Sequence, residues 1–173
     1  MVIYLIGYMC SGKTTLGTLL KEIAGVKFTD LDQYIEEKEG LSVNEIFAQK
    51  GETAFREMER NTLREVTENI GGVIATGGGT PCFFDNMEYM NAQGTTVFLD
   101  ASVDVIFTRL TIARTQRPLV DGKTDEELRS YITETLNRRL PYYSRATHSF
   151  CANQLENVKQ ISESVERFKE EVL

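Results

Sequence analysis

Residues Gly7-Tyr8-Met9-Cys10-Ser11-Gly12-Lys13-Thr14-Thr15 spell the pattern G-x-x-x-x-G-K-[ST]. A short apolar run, Val2–Ile6, stands before it, and Leu16, Leu19, Leu20 and Ile23 follow at helical spacing. The motif therefore joins a buried strand to a helix N-terminus, the context that separates a phosphate-binding loop from a chance match. Gly7 and Gly12 permit backbone angles that a Cβ would forbid. The loop N–H groups then converge on phosphate oxygens, with the positive end of the helix dipole behind them. In such a loop Lys13 reaches the β- and γ-phosphates of a nucleotide, and the Thr14 hydroxyl ligates Mg²⁺.

With 173 residues the chain suits one domain with a sizeable core. No apolar run approaches membrane-spanning length, and the first residues read as a core strand rather than a signal peptide, so a cytoplasmic protein is expected. The net charge of −7 argues against broad binding to nucleic acid or to a membrane surface. Three cysteines, Cys10, Cys82 and Cys151, lie far apart, with neither metal-ligand spacing nor a disulfide framework. Cys10 sits beside Lys13 inside the loop. It is read either as a thiol whose oxidation would block nucleotide binding or as a small side chain tolerated in a tight turn.

Strand-like runs alternate with helical ones, which predicts an α/β fold with a parallel sheet. Strands are expected at Val2–Ile6, 26–29, Gly72–Ala75, 95–99 and 149–152. Asp30 and Asp32 follow the second strand, at the end that faces the ligand crevice in a parallel sheet. Asp30 is a candidate to support Mg²⁺. Asp32 is a candidate to accept a proton or hydrogen bond from a substrate hydroxyl, or to N-cap the next helix, 33–39. Ser42 and Glu45 form a capping box. Beyond Gly51 a helix runs to about Asn69, with Phe55, Met58, Leu63 and Val66 as its buried stripe. Arg56 and Glu59 share a face on it. Gly77-Gly78-Gly79 ends the third strand and permits close backbone approach. A helix is expected at 85–92, and another begins at Ser102. Arg109, Arg114, Arg117-Pro118-Leu119 and Lys123 then form a cationic stretch, read as a lid closing over transferring phosphate. Thr124 caps a helix of roughly sixteen residues that Pro141 ends and that carries Arg138 and Arg139. The last helix carries Val158, Ile161, Val165 and Phe168, and His148, the one histidine, is read as structural or exposed.

The set Asp30-Leu31-Asp32, Gly51-Glu52 with Phe55-Arg56 and Glu59, Gly77-Gly78-Gly79, Arg117-Pro118-Leu119, and Arg139 with Pro141 and Tyr143 resembles the shikimate kinase family, in order and over nearly the whole chain. That resemblance implies a three-layer αβα P-loop kinase fold with a central parallel sheet of about five strands, a substrate segment near 32–60 and a lid near 110–123. It implies Mg²⁺-dependent transfer of phosphate from ATP to the 3-hydroxyl of shikimate, in aromatic amino acid biosynthesis, by a monomer. By analogy, Lys13, Asp32 and Arg117 are catalytic. Cys10, Ser11, Gly12, Lys13, Thr14, Thr15, Arg109 and Arg117 bind ATP, with Arg109 or Arg114 against adenine. Asp32, Phe55, Arg56, Gly77, Gly78, Gly79 and Arg139 bind shikimate, and Thr14 and Asp30 serve the metal. Asn153 and Gln154 are the candidates for a further adenine contact. A gluconate kinase of the same build is the rival enzyme. A nucleotide-switch GTPase would need an Asn-Lys-x-Asp signature, which the sequence lacks.

Overall fold

The computed structural model describes residues 1–113 and 122–172. Arg114, Arg117-Pro118-Leu119 and most of the expected lid lie outside the described residues.

Five strands form one sheet: β1 (Val2–Ile6), β2 (Phe28–Asp30), β3 (Gly72–Ala75), β4 (Thr95–Asp100) and β5 (His148–Cys151). Their order is β2-β3-β1-β4-β5, and every pairing is parallel. The central strand β1 is apolar on both faces, as a strand covered on both sides must be. Ile3 and Leu5 enter one core, and Tyr4 and Ile6 the other.

Helices close each face. α1 (Lys13–Ala24), α5 (Val103–Ile112) and α7 (Val158–Val172) cover the first through Leu16, Leu20, Ile106, Leu110, Val165 and Phe168. α2 (Leu31–Glu39), α3 (Val43–Asn69) and α4 (Asn86–Gln93) cover the second through Leu31, Ile35, Ile46, Leu63, Val66 and Met90. α6 (Asp125–Tyr143) belongs to both layers. Leu128 and Ile132 lie in the first core and Tyr143 in the second. The helix thus crosses the end of the sheet and carries Arg139 over it.

Several boundaries differ from the sequence expectation. β2 begins at Phe28 because its pairing with β3 starts there, Phe28 opposite Val73. α2 begins at Leu31 because Asp30, not Asp32, is its cap: the Asp30 Oδ1 accepts from the N–H groups of Asp32 and Gln33 at 3.2 and 3.3 Å. Pro141 lies inside α6 rather than ending it. The turn it weakens is anchored by Tyr143, whose ring stacks on Phe98 at 5.1 Å and whose hydroxyl donates to the Gly78 carbonyl at 2.5 Å. Ile23 and Val158, placed in apolar stripes by spacing, sit at helix ends and are 49% and 81% exposed. Gly51 interrupts α3 with φ 80° and ψ 169°, so the capped first arm and the long second arm meet at an angle-setting glycine.

Gly94 closes α4 against β1, where a Cβ would lie 2.2 Å from the Val2 carbonyl oxygen. That neighbour is backbone and cannot rotate away. Gly94→Ala is therefore expected to destabilise the fold by about 1–3 kcal/mol. Calorimetry should show a melting temperature lower by several degrees, and an unchanged one would contradict the close approach.

Candidate active site

Two cavities lie at the C-terminal edge of the sheet. The first, about 390 Å³, is walled by the loop after β1 and by Asp30, Arg109, Leu155 and Glu156. The second, about 410 Å³, is walled by α2, α3, Arg139 and the three glycines after β3. Met9, Asp32 and Gly78 line both, so the two spaces share a boundary.

The loop takes the shape its sequence requires. Gly7 and Gly12 have φ of 145° and 102°, and Cys10, without a glycine's freedom, is held at φ 60°. Lys13 Nζ donates to the Gly7 and Tyr8 carbonyls, both at 2.8 Å, so the lysine spans the loop from within. Cys10, Gly12, Lys13, Thr14 and Thr15 face the first cavity, whereas Ser11 is buried and does not. Arg109 fastens this loop to the C-terminal segment. It donates to the Cys10 carbonyl at 3.1 Å, the Ala152 carbonyl at 2.9 Å and the Glu156 carboxylate at 2.7 Å. The far wall is Leu155 and Glu156. Asn153 instead accepts from the Ser102 N–H at 2.9 Å, and neither it nor Gln154 lines the cavity.

Thr14 Oγ1 donates to Asp30 Oδ2 at 2.7 Å at the edge of the first cavity. Mg²⁺ typically takes one or two protein oxygens and completes its shell with water and phosphate. A hydroxyl and a carboxylate in contact beside a phosphate loop fit that demand. Because Asp30 also caps α2, the same carboxylate sets the start of that helix and so the position of Asp32.

The second cavity owes its charges to the three glycines. A Cβ on Gly77 would lie 2.6 Å from Glu59 Oε1 and 2.9 Å from Asp32 Oδ1. One on Gly78 would lie 3.0 Å from Arg139 Nη1, and one on Gly79 would lie 2.8 Å from both terminal nitrogens of Arg56. Each glycine is the space that a charged side chain occupies, a tighter reason for the run than room for a ligand alone. Arg56 donates to Glu59 at 2.9 Å, with their side chains 11% and 1% exposed. The pair lies largely out of solvent, where losing either partner strands a charge. Thr80 Oγ1 donates to the other Glu59 oxygen at 2.5 Å.

Asp32 is pushed up to about 7, first by burial and then by the carboxylates of Glu59 and Asp30, with Lys13 opposing. Burial also raises Glu59, while Arg56 and Thr80 pull it down. Asp32 therefore stands at the junction of the cavities as a carboxyl poised to hold or release a proton near neutrality.

The structure thus brings Lys13, Thr14, Asp30, Asp32, Phe55, Arg56, Arg139 and the three glycines around one pair of cavities, with Arg109 on the outer wall. Arg117 lies outside the described residues. Sequence reasoning assigned no role to Glu36, Phe47, Leu155 or Glu156, which also line them. Glu59 carried a signal, its three-residue spacing from Arg56. Glu36 and Phe47 meet Val43 and Phe55 across the breaks around α2 and within α3, and Glu156 meets the distant Arg109, contacts that no helical spacing records.

The family model described as "Shikimate kinase" matches residues 9–170. A shikimate kinase of Bacteroides fragilis is 51% identical over 167 residues, covering 96% of this chain and 93% of that protein. Among solved structures, a shikimate kinase from Bacteroides thetaiotaomicron superposes with a TM-score of 0.95 at 50% identity, covering 98% of this chain and 97% of that one. A shikimate kinase from Acinetobacter baumannii, solved in complex with shikimate, gives 0.77 at 29% identity, covering 99% and 94%.

An Asp raised in the folded state binds its proton more tightly there than in the unfolded chain. Stability then falls as pH rises from the ordinary carboxylate range to about 7, and the deficit stays at higher pH. Asp32→Asn removes this penalty. The variant is expected to melt above the parent chain at pH 8, with the gap narrowing at pH 5. A gap of equal size at both pH values would contradict the buried, proton-holding Asp32.

Proposed function

The chain belongs to the shikimate kinase family, and on that premise we propose that it transfers the γ-phosphoryl group of ATP to the 3-hydroxyl of shikimate, yielding shikimate 3-phosphate and ADP. This reaction belongs to aromatic amino acid biosynthesis. The observation that carries the assignment is the shared boundary of the two cavities at Asp32 and Gly78, with the phosphate loop on one side and Arg56 and Arg139 on the other.

The roles follow from chemistry. Shikimate is a carboxylate carrying ring hydroxyls. Guanidinium forks match carboxylates, so Arg56 and Arg139 hold the acid end, and Phe55 backs the ring. Asp32, at the boundary, takes the hydroxyl end. Its carboxylate accepts the hydrogen bond that turns the hydroxyl oxygen toward the phosphate and receives the proton as transfer proceeds. Phosphoryl transfer needs little covalent help from the protein, so positioning and charge stabilisation carry most of the catalysis. The loop amides and Lys13 bind the phosphates, with Arg117 proposed as a second cation on the γ-phosphate. Thr14 and Asp30 are the oxygens that would hold Mg²⁺, which would neutralise phosphate charge there.

The whole chain acts as one kinase unit, with 32–60 as substrate segment and 110–123 as lid. We place it in the cytoplasm as a monomer. Among the described residues no helix is long and apolar enough to cross a membrane.

ADP release from Mg·ATP, measured with shikimate, gluconate, nucleoside monophosphates and no acceptor, tests the proposal. Release with shikimate alone is expected, and gluconate as the preferred acceptor would overturn it. In the same assay Arg56→Lys keeps a cation beside Glu59 but loses the fork. It is expected to raise the KM for shikimate by about tenfold or more, roughly the worth of one charged hydrogen bond, while the KM for ATP stays close to that of the parent chain. An equal rise in both would remove Arg56 from acceptor recognition.

A further inference from the structure

Arg56 is ringed by aromatics. Its guanidinium carbon lies 4.1 Å from the centroid of Phe83, 5.3 Å from that of Phe55 and 5.7 Å from that of Phe47. Nη1 and Nη2 donate to Glu59 and Glu52. The buried Nε has no hydrogen-bond partner among the described residues. Hydrogen bonds therefore hold the tip of the fork, and the tilt of its plane is left to the ring against its face. Phe83 supplies the nearest face but does not line the substrate cavity.

The turn that presents Phe83 is held in an unusual way. It follows the short 3-10 turn Thr80–Cys82, with Phe83 extended and Phe84 at φ 51°, a conformation rarely adopted by a bulky residue. Such strain persists only where surroundings over-determine it. Here the surroundings are the buried Asn86, which donates to the Thr80 and Phe83 carbonyls, and two further arginines. Arg60 lies over the Phe84 ring at 5.3 Å and donates through Nε to Asp85 at 3.1 Å. Arg64 donates to the same carboxylate oxygen at 2.8 Å and lies over Tyr89 at 4.4 Å. Arg56, Arg60 and Arg64 are spaced by four on one face of α3. They meet residues 83, 84 and 85 in order, fastening the turn to the helix.

We infer that Phe83 is a positioning residue for acceptor recognition: its ring fixes the plane of the Arg56 guanidinium, and the clamp of Arg60 and Arg64 on Phe84 and Asp85 keeps that ring in place. The inference rests on the assignment of Arg56 to the shikimate carboxylate. Phe83 acts through Arg56 and touches no substrate. A residue that merely filled space would be replaced without kinetic selectivity by any side chain of similar volume.

The test compares Phe83→Leu, which keeps apolar bulk without a π-face, with Phe83→Tyr, which keeps the ring. Taking a partly desolvated cation–π interaction away from a binding arginine is expected to raise the KM for shikimate about three- to tenfold in Phe83→Leu. Its kcat and its KM for ATP should stay near those of the parent chain, and Phe83→Tyr should restore the KM. In an Arg56→Lys background, Phe83→Leu should raise the KM by much less than it does alone. Phe83→Met carries the test if the leucine variant does not fold. An unchanged KM for shikimate in Phe83→Leu, or an equal rise in both KM values, would overturn the inference. If the parent chain phosphorylates shikimate and Phe83→Leu is silent, only the positioning role fails. If the parent chain prefers another acid acceptor, the assignment to shikimate fails, and the same KM split is read on that acceptor.

Discussion

Four charged side chains converge on three consecutive glycines at the end of β3, and a single added Cβ at any of them would meet one of those side chains at 3.0 Å or less. The rest of the second cavity depends on that convergence. Arg56 and Glu59 can pair below the surface only because Gly79 and Gly77 leave them room. Arg139 reaches across the sheet because Gly78 yields to it and because Tyr143, one turn further on, ties α6 to the Gly78 carbonyl. Burying such charges is expensive, and a buried ion pair is often no more stabilising than apolar residues of the same volume. The arrangement is better explained by what it does than by what it adds to stability. It offers two guanidinium groups at one end and, at the other, a carboxyl whose pKa is raised to about 7.

Asp30 links this cavity to the phosphate loop. One carboxylate oxygen receives the Thr14 hydroxyl and the other caps α2. One residue at the end of β2 thus ties Thr14, at the start of α1, to the first turn of α2, where Asp32 stands. Arg109 performs the matching task on the outer side, joining the loop carbonyl of Cys10 to the segment that supplies Leu155 and Glu156. The two cavities thus draw their walls from opposite ends of the chain and share Met9, Asp32 and Gly78 at their boundary.

How much of this was legible in the sequence depends on how local each cause is. The strand, turn and helix around Gly7 to Thr15 were readable because they are contiguous, whereas the inward turn of Ser11, away from the cavity, was not. The parallel sheet followed from the alternation of elements, and the Arg56–Glu59 spacing announced a pair but not its burial. The cap of α2 was given to Asp32 as one alternative, and the helix begins two residues earlier, with Asp30 as its cap. Pro141 read as a stop, since propensity does not foresee the anchoring of Tyr143. The steric reason for Gly77-Gly78-Gly79, and the part played by Phe83, come from side chains more than fifteen residues away. No periodicity records such contacts.

In the proposed complex the acid end of shikimate lies between Arg56 and Arg139 while its reacting hydroxyl sits at Asp32, facing the nucleotide. A crystal structure of the chain with shikimate bound tests it most directly. The carboxylate is expected within hydrogen-bond distance of both arginines and the 3-hydroxyl on Asp32, at the boundary with the first cavity. Shikimate bound the other way round, with its carboxylate away from both arginines, would contradict it.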